Sequence, residues 1–372
     1  MALQRTPLFD AHVAAGAKIV DFAGFEMPVR YSSESEEHLA VRKGVGVFDV
    51  SHMGEVFVEG EGALEFIRGL VTNDAARIVD GQAMYAGLLN ERGTFIDDVI
   101  VYRFSPVRFL VCVNASNQDK DFAWIAAQAR EKAPGLSVTN QGALWSQLAV
   151  QGPKAVDLVA KLCGESVRDI GGYHFREGKI LGEDGIIART GYTGEDGFEL
   201  YVKNAHARKV WDAVLAAGAL PCGLACRDTL RLEAGMCLYG NDIDEEHTPL
   251  EANLGWIVKL PDDKAPRPPF VGMDALLKQK AAGVPRVLRG LELVDRGIAR
   301  HGYTVHDEAG APVGVVTSGT QTPFLNKAIA MAYLDKPHAE LGHSVFVDVR
   351  GRKLKGTVVK LPFYRRPTAA KA

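Results

Sequence analysis

The chain has 372 residues, and its 43 lysines and arginines nearly balance 46 aspartates and glutamates, for a formal net charge of −3. This balance argues against nucleic acid as the main partner, and a hydrophobic content of 47% is enough for buried cores. Because single cores stop growing at about 250 to 300 residues, we expect more than one folding unit. Glycine is abundant, at 39 of 372 residues; this exceeds the usual share of about 7% and indicates many tight turns and a β-rich architecture.

The N-terminal sequence offers no secretory signal, because it has no basic segment followed by an apolar core and a small-residue cleavage site. The longest apolar stretch, residues 213–226, is interrupted by glycines and a proline, and it is shorter than the roughly 18 residues that a membrane helix needs. Five cysteines occur without a CxxC pair, which favours reduced thiols over disulfides. These features predict a soluble, cytoplasmic protein with no membrane partner.

Helical and strand patterns are mixed along the first 260 residues without a steady βαβ rhythm, which indicates an α+β fold. Apolar residues at helical spacing predict helices over 35–43, 62–70, 118–132, 154–162 and 205–217. Strand patterns cover 54–58, 83–89, 95–104, 108–114, 145–151 and 197–202. No GxGxxG motif follows a strand and no GxxxxGK motif with a following Ser or Thr occurs, so we expect neither a Rossmann nor a P-loop nucleotide site.

A proline-rich stretch at residues 261–269, PDDKAPRPP, separates this region from the rest of the chain. Four prolines in nine residues are incompatible with a helix or a central strand, so the stretch is typical of a linker. A helix is expected over Met273–Ala282, and short alternating strands with glycine-rich turns follow from residue 286. We therefore predict a linker over 261–285 and an antiparallel barrel or sandwich over 286–366.

The segment GTFIDDVIVY, residues 93–102, places two adjacent carboxylates in an otherwise apolar strand. Neighbouring side chains on a strand point to opposite faces, so Asp97 and Asp98 are not expected to share a proton. Burial of an acid is costly unless it has a partner or a function. One of the two could be a catalytic carboxylate facing a cavity, or both could be structural.

Two further segments carry candidate binding groups. RTGYTGEDGFELY, residues 189–201, displays Glu195 in a glycine-rich loop, although an ordinary hairpin with an acidic tip would have the same pattern. GLACRDTLRLEAGMCLYGND, residues 223–242, places Arg227 and Arg231 on one helix face. They could grip a carboxylate of an anionic ligand or form ordinary salt bridges.

The histidines show no HExxH or comparable ligand spacing, so no metal site is expected. Ser51 and His52 are adjacent on an extended segment, where their side chains diverge, and a nucleophile pair is therefore not expected. Met53 is expected in a core or a cavity wall.

Several long motifs, taken together and in order, resemble the aminomethyltransferase (T-protein) family of the glycine cleavage system. They include GVFDVSHMGEV, IDDVIVY, TGYTGEDGFEL, RDTLRLEAG with LYGNDIDE, and GVVTSGTQTPFLNKAIAMAYL. The matching stretches run almost from end to end of the chain. Relatives of this fold include folate-dependent demethylases and a non-enzymatic folate-binding scaffold for iron–sulfur assembly, which remain as alternatives. The scaffold proteins carry KGCYxGQE where this chain has AGMCLYGND.

The resemblance implies a three-domain, cloverleaf-like fold, with two intertwined α+β subdomains in residues 1–260 and a C-terminal antiparallel barrel. It implies transfer of a one-carbon unit from the S-aminomethyl-dihydrolipoyl arm of the H-protein to tetrahydrofolate as co-substrate, with release of ammonia and formation of 5,10-methylenetetrahydrofolate. It assigns the catalytic role to Asp97. The folate-binding positions that it suggests are Glu195, Arg227, Asn114, Tyr85, Met53, Tyr239 and Tyr364.

Overall fold

The computed structural model describes residues 3–261 and 266–367. Its α-helices are α1 (Phe9–Ala14), α2 (Glu34–Lys43), α3 (Ala63–Leu70), α4 (Gln118–Lys132), α5 (Ala155–Cys163), α6 (Asn204–Ala216), α7 (Leu224–Glu233) and α8 (Met273–Ala282). Its strands are β1 (Lys18–Phe22), β2 (Phe25–Arg30), β3 (Gly46–Asp49), β4 (Gly54–Glu59), β5 (Gln82–Leu89), β6 (Phe95–Ser105), β7 (Arg108–Val113), β8 (Ser137–Asn140), β9 (Trp145–Gln151), β10 (Phe175–Ile180), β11 (Glu183–Ala188), β12 (Gly197–Lys203), β13 (Leu220–Pro221), β14 (Arg286–Leu293), β15 (Thr304–His306), β16 (Pro312–Gln321), β17 (Ala328–Asp335), β18 (Ser344–Val349) and β19 (Arg352–Val359).

Before residue 261 the strands form a β1–β2 hairpin and two larger sheets. The five-stranded sheet has the order β5-β6-β7-β4-β8, and the six-stranded sheet has the order β10-β11-β12-β9-β3-β13. The five-stranded sheet buries one face under α3 and α4, and the six-stranded sheet buries one face under α5 and α6. Their other faces meet in a shared cluster that includes Phe57, Tyr102 and Cys112 from one sheet and Ile186 and Tyr201 from the other. We call the space between these faces the intersheet layer.

The strands from β14 to β19 close into a barrel in the order β14-β17-β16-β15-β18-β19, and their pairings are antiparallel. The predictions of an α+β fold and of a C-terminal antiparallel barrel are therefore confirmed. Four residues of the predicted linker, 262–265, lie outside the described residues, and the rest of it includes α8. Among the described residues, no helix combines the length and the apolar character needed to cross a bilayer.

Helix α7 lies where the sheets, the barrel and the C-terminal segment meet. Arg231 is 1% exposed and donates hydrogen bonds to Asp242 at 2.6 Å and to Ser318 of β16 at 2.7 Å. Its guanidinium is therefore occupied by contacts between α7 and the barrel. The possibility that Arg231 grips an anionic ligand together with Arg227 is not supported by this arrangement.

Candidate active site

The alternation of strand β6 divides the two aspartates between the two faces of the five-stranded sheet. Val99 and Val101 pack into the cluster beneath α3 and α4, and Asp97 is buried on that side, beside Asn117 and α4. Asp98 instead shares a face with Ile100 and Tyr102, which pack in the intersheet layer. The two carboxylates therefore diverge, as predicted. The helix layer covers the side of the sheet on which Asp97 is buried. The catalytic role that the resemblance assigns to Asp97 stays a prediction.

Asp98 is half-buried and has two side-chain donors. Tyr85 donates its hydroxyl to Asp98 Oδ2 at 2.9 Å, and Asn114 donates its Nδ2 to Asp98 Oδ1 at 2.9 Å. Burial, followed by the charge of Asp97, raises the pKa of Asp98 to about 7, although the two hydrogen bonds act in the opposite direction. A carboxyl group with this pKa can both accept and release a proton near neutral pH.

Asp97 is 0% exposed and is held by backbone and side-chain amides. The backbone N–H of Asn114 donates to Asp97 Oδ2 at 2.9 Å. The Nδ2 groups of Asn114 and Asn117 both donate to Asp97 Oδ1 at 2.8 Å. The side-chain amide of Asn114 thus links the two aspartates, because its Nδ2 donates a hydrogen bond to each carboxylate.

Tyr85 lies where the intersheet layer approaches solvent. Its side chain is half-buried, and its ring centroid is 5.9 Å from that of Trp256, which is 58% exposed. This pair of aromatic side chains marks an outer edge of the layer close to Asp98.

Arg227 lies on α7 with its guanidinium carbon 4.8 Å from the centroid of the Tyr192 ring. Its Nη1 is buried and has no hydrogen-bond partner among the described residues. Burial lowers the pKa of Arg227, and the charge of Glu199 acts in the opposite direction. Burial, and then the charge of Arg227, lower the pKa of nearby His52 to about 4, so this imidazole is neutral at physiological pH. A buried guanidinium N–H group without a partner is costly on its own and is suited to an anionic or acceptor group of a ligand.

A second glutamate of the TGYTGEDGFEL motif, Glu199, lies close enough to Arg227 for its charge to act on the pKa of that guanidinium. It lies on β12, two residues before Tyr201, so both side chains are on the face of the strand that borders the intersheet layer. Gln147 donates to Glu199 Oε1 at 3.1 Å, and the Thr190 hydroxyl donates to Glu199 Oε2. The sequence analysis missed this residue. The available signal was an acid between Phe198 and Leu200, in a strand whose other side chains are mostly apolar.

Glu195 lies in a separate cluster near the C-terminal segment. Its Oε1 accepts a hydrogen bond from Arg42 Nη1 at 3.0 Å, and only 4% of its side chain is exposed. The Arg42 guanidinium in turn lies 4.0 Å from the centroid of the Tyr364 ring. Burial is the main cause that raises the pKa of Tyr364 to about 12, and its interaction with Glu195 is the second. Glu195 and Tyr364 therefore both contact Arg42, which donates a hydrogen bond to the Glu195 carboxylate and faces the Tyr364 ring.

The remaining candidate residues lie at the edges of these groups. Met53 is half-buried and packs against the intersheet cluster. Tyr239 is half-buried, and its hydroxyl accepts a hydrogen bond from Lys120 Nζ at 2.8 Å. The structure thus brings Tyr85, Asp98, Asn114 and Met53 to one face of the five-stranded sheet. Across the layer it places Arg227 and Glu199. The arrangement combines a proton-exchanging acid, a cation and a hydrogen-bond acceptor, a set suited to acid–base chemistry on a polar ring system.

Comparison with known proteins shows which family has this architecture. A family model described as "GCVT N-terminal domain" matches residues 8–262, and one described as "Glycine cleavage T-protein C-terminal barrel domain" matches residues 286–365. A protein of Bacteroides fragilis named "Aminomethyltransferase" is 47% identical over 97% of this chain and 99% of its own length. One of the same name from Desulfitobacterium hafniense is 46% identical over 98% of this chain and 99% of its own length.

The crystal structure of glycine cleavage system aminomethyltransferase T from Bartonella henselae superposes with a TM-score of 0.90. It is 38% identical and covers 97% of this chain and 98% of its own. These similarities extend over both the sheet region and the barrel, and they favour neither the demethylase nor the scaffold alternative. The chain therefore belongs to the glycine cleavage T-protein family and is an aminomethyltransferase.

Proposed function

We propose that the chain transfers the aminomethyl carbon of an S-aminomethyl-dihydrolipoyl H-protein to tetrahydrofolate in the cytoplasm. The composition of the intersheet layer supports this proposal at the level of residues. The layer contains Asp98, whose pKa is raised to about 7, and Arg227, whose buried Nη1 has no hydrogen-bond partner among the described residues. The free state of all five cysteines is compatible with the reducing compartment.

The proposed reaction needs proton movement and charge stabilisation but no covalent protein nucleophile. Two folate N–H bonds are replaced by two N–C bonds to the transferred carbon, while its bonds to the amine nitrogen and to the lipoyl sulfur break. The two protons leave with ammonia and with the thiol. Asp98 is the group that receives and returns a proton at a folate nitrogen, and its negative charge stabilises a cationic one-carbon intermediate.

The proposed binding groups are those charged side chains that have no paired charge of opposite sign. A pterin presents neighbouring N–H donors, which suit a carboxylate acceptor. Glu195 is paired with the Arg42 cation, whereas Glu199 accepts hydrogen bonds only from the neutral side chains of Gln147 and Thr190, so its charge is free of a paired cation and Glu199 is the proposed acceptor for the pterin. Arg227 supplies a cation for an acceptor atom or the anionic part of the co-substrate. Tyr85 and Met53 are the proposed walls beside the ring.

The direct test is turnover of Asp98→Asn with tetrahydrofolate and aminomethyl-loaded H-protein, followed as ammonia and methylenetetrahydrofolate. We expect turnover to fall by about 10²- to 10⁴-fold, the range typical of a lost acid–base group, while tetrahydrofolate still binds. Asp184→Asn, whose side chain is 89% exposed, is the matched control and should leave turnover unchanged. Near-normal turnover of Asp98→Asn would exclude the role.

The acceptor assignment is tested separately by comparing Glu199→Gln with Glu195→Gln. Glu199→Gln should weaken tetrahydrofolate binding, while Glu195→Gln should chiefly lower stability by loosening its contact with Arg42. The reverse pattern would return the acceptor role to Glu195. Parallel reactions with dimethylglycine or sarcosine in place of the loaded H-protein should give no product, and efficient turnover of either would indicate a demethylase.

A further inference from the structure

A buried carboxyl group on β4, that of Glu55, has no role in the site described so far. Glu55 is 1% exposed, and neither of its carboxyl oxygens has a hydrogen-bond partner among the described residues. A buried polar group in this state is costly unless another group satisfies it. Lys203 of β12 acts on Glu55 through its charge, but its Nζ lies over the ring of Trp145, 3.5 Å from the centroid. The Glu55 carboxyl group is therefore open to a donor from a ligand.

Glu55 faces the open side of Gly142, a glycine in the turn between β8 and β9. A side-chain carbon placed on Gly142 would lie 3.4 Å from Glu55 Oε2 and 3.6 Å from Gln118 Oε1. The same carbon would lie 3.3 Å from Asn140 Oδ1. Gln118 Nε2 donates to the backbone oxygen of His52 at 2.6 Å, which leaves the amide oxygen as the atom directed to Gly142. Three oxygen acceptors therefore border the space beside this glycine, and we call this arrangement the Gly142 site.

The composition of the Gly142 site suits a small monovalent cation with N–H donors. One carboxylate and two amide oxygens carry a single negative charge, which matches one positive charge. Ca²⁺ takes about six to eight oxygen ligands and Mg²⁺ requires near-octahedral geometry, so three oxygens serve neither ion well. An ammonium ion has N–H donors for all three oxygens, in hydrogen bonds that its charge strengthens. Its remaining N–H can reach water, because Gly142 is half-buried and Asn140 is exposed.

The Gly142 site and Asp98 lie on the same face of the five-stranded sheet. Glu55 is the cross-strand neighbour of Cys112 on β7, and Cys112 is the neighbour of Ile100 on β6. Asp98 precedes Ile100 by two residues, so its side chain is on this face as well. Two strand spacings and one two-residue step place Glu55 about 12 Å from Asp98. An amine released beside Asp98 therefore has an unpartnered acid within the same layer.

We propose that the Gly142 site binds ammonium and receives the ammonia that the transfer reaction releases. Burial raises the pKa of Glu55 well above its usual value, so the ligand-free site holds a neutral acid. When ammonia enters, the O–H bond of Glu55 breaks and a new N–H bond forms, and the resulting pair of ammonium and carboxylate has no net charge. The source of the ligand rests on the proposed function, whereas the binding of ammonium does not.

The binding test is thermal unfolding of the full chain at pH 8 in ammonium chloride, with potassium chloride at equal concentration as the reference. At about ten times its Kd, ammonium should raise the Tm of the wild type by about 2 °C above the value in potassium chloride. Glu55→Gln removes the charge, and Gly142→Ala fills the site without changing any charge, so both variants should lose this difference. The φ angle of Gly142 is not positive, so its backbone is compatible with alanine.

Gly135→Ala, in the turn before β8, is the matched control for the glycine substitution. A carbon added at Gly135 meets nothing within 4 Å, so this variant should keep the wild-type difference between the two salts. An equal rise of Tm in potassium and ammonium chloride would overturn the ammonium site, and so would a Gly142→Ala variant that keeps the difference. Gly142→Ala remains decisive if Glu55→Gln does not fold.

The reverse reaction, with methylenetetrahydrofolate, ammonia and the dihydrolipoyl H-protein as substrates, tests the role in the transfer itself. Glu55→Gln should raise the KM for ammonium about 10- to 100-fold, the effect of a lost charge-assisted hydrogen bond. The kcat and the KM for methylenetetrahydrofolate should stay within about twofold of wild type. An unchanged KM for ammonium in both Glu55→Gln and Gly142→Ala would overturn the role. If ammonium binds as expected while the wild type forms no product, the proposed function fails and the ammonium site stands.

Discussion

Arg42 of α2 donates its Nε to Oε2 of Glu233 at the end of α7, at 3.0 Å, and both side chains are fully buried. The same Glu233 carboxylate accepts a hydrogen bond from the backbone of Leu325, in the loop between β16 and β17, and contacts His38 at 3.1 Å. Arg42 also binds Glu195. One ion pair therefore connects the first region of the chain, the barrel and the GYTGE loop, and it fixes how α7 presents Arg227 to the intersheet layer.

Replacing Glu233 by alanine should destabilise the protein strongly. The variant leaves the Arg42 guanidinium buried without its main counter-charge, a loss that typically costs about 3 to 5 kcal/mol. The measurement is urea unfolding of the full chain, with Arg42→Met and the double variant completing a cycle. Asp212→Ala breaks the exposed Arg208–Asp212 pair and should cost no more than about 0.5 kcal/mol. If Glu233→Ala cost as little as this control, the ion pair would not hold the junction.

Arg227→Met should weaken tetrahydrofolate binding without destabilising the ligand-free protein. The guanidinium has a buried Nη1 with no partner, so an apolar side chain of similar length removes an uncompensated desolvation cost. A lost charge-assisted hydrogen bond corresponds to about 10- to 100-fold in Kd. Calorimetric titration and thermal unfolding measure the two effects. Arg208→Met, on the exposed face of α6, should alter neither, and an unchanged Kd for Arg227→Met would remove this residue from the binding site.

The alternation of β6 could be predicted from the sequence, but which of its two faces the helices cover could not. Periodicity separates Asp97 from Asp98, whereas the choice between them depends on which face α3 and α4 cover, and this is a tertiary relationship. The sequence likewise does not show which of Glu195 and Glu199 is available to a ligand. Both belong to one motif, and only the arrival of Arg42 from α2, 153 residues away in sequence, shows that Glu195 is already paired.

Local structure was easier to predict where the pattern is strong. Helix α4 and strand β9 have the predicted bounds, and α4 carries acidic residues in its first turn and basic residues in its last. The β1–β2 and β10–β11 hairpins were missed because polar and charged residues interrupt their alternation, and β10 and β11 each carry a glycine. The barrel was recognisable because its strands alternate regularly between glycine-rich turns.

Glu55→Gln should stabilise the protein more at high pH than at low pH. Glu55 is 1% exposed, and neither of its carboxyl oxygens has a hydrogen-bond partner in the part of the chain that the structure describes. Burial raises the pKa of Glu55 well above its usual value, and the charge of Lys203 opposes this in part. The unfolded chain releases this proton above about pH 4.3, while the folded chain retains it. The folded state is therefore disfavoured progressively as pH rises, by up to about 1.4 kcal/mol per pH unit, and glutamine removes this dependence.

The measurement for Glu55 is the difference in Tm between variant and wild type from pH 4.5 to pH 8. The difference should be smallest at the acid end and should grow as pH increases. Glu61→Gln, at an exposed turn before α3, provides the control and should show no such trend. A difference in Tm that is constant across this range would mean that Glu55 ionises normally in the folded protein.

Tyr85→Phe should move the acid limb of the kcat/KM profile to higher pH. The Tyr85 hydroxyl donates to Asp98 Oδ2 at 2.9 Å and so favours the ionised form of Asp98. Without this donor, burial and the charge of Asp97 act with less opposition, and the pKa of Asp98 should rise above about 7. Turnover at pH 7 should fall several-fold and should recover in part at pH 8.5, because a larger fraction of Asp98 is then ionised.

The direction of this change distinguishes Tyr85 from a residue that only packs against the folate ring. Loss of packing alone would raise KM and leave the pH limb where it is. Trp256→Phe provides that comparison, since its ring lies beside Tyr85 but makes no hydrogen bond to Asp98 within the described residues. The opposite displacement is expected for Asp97→Asn, which removes the charge that raises the pKa of Asp98. If Tyr85→Phe and Asp97→Asn moved the limb in the same direction, Asp98 would not be the group that sets it.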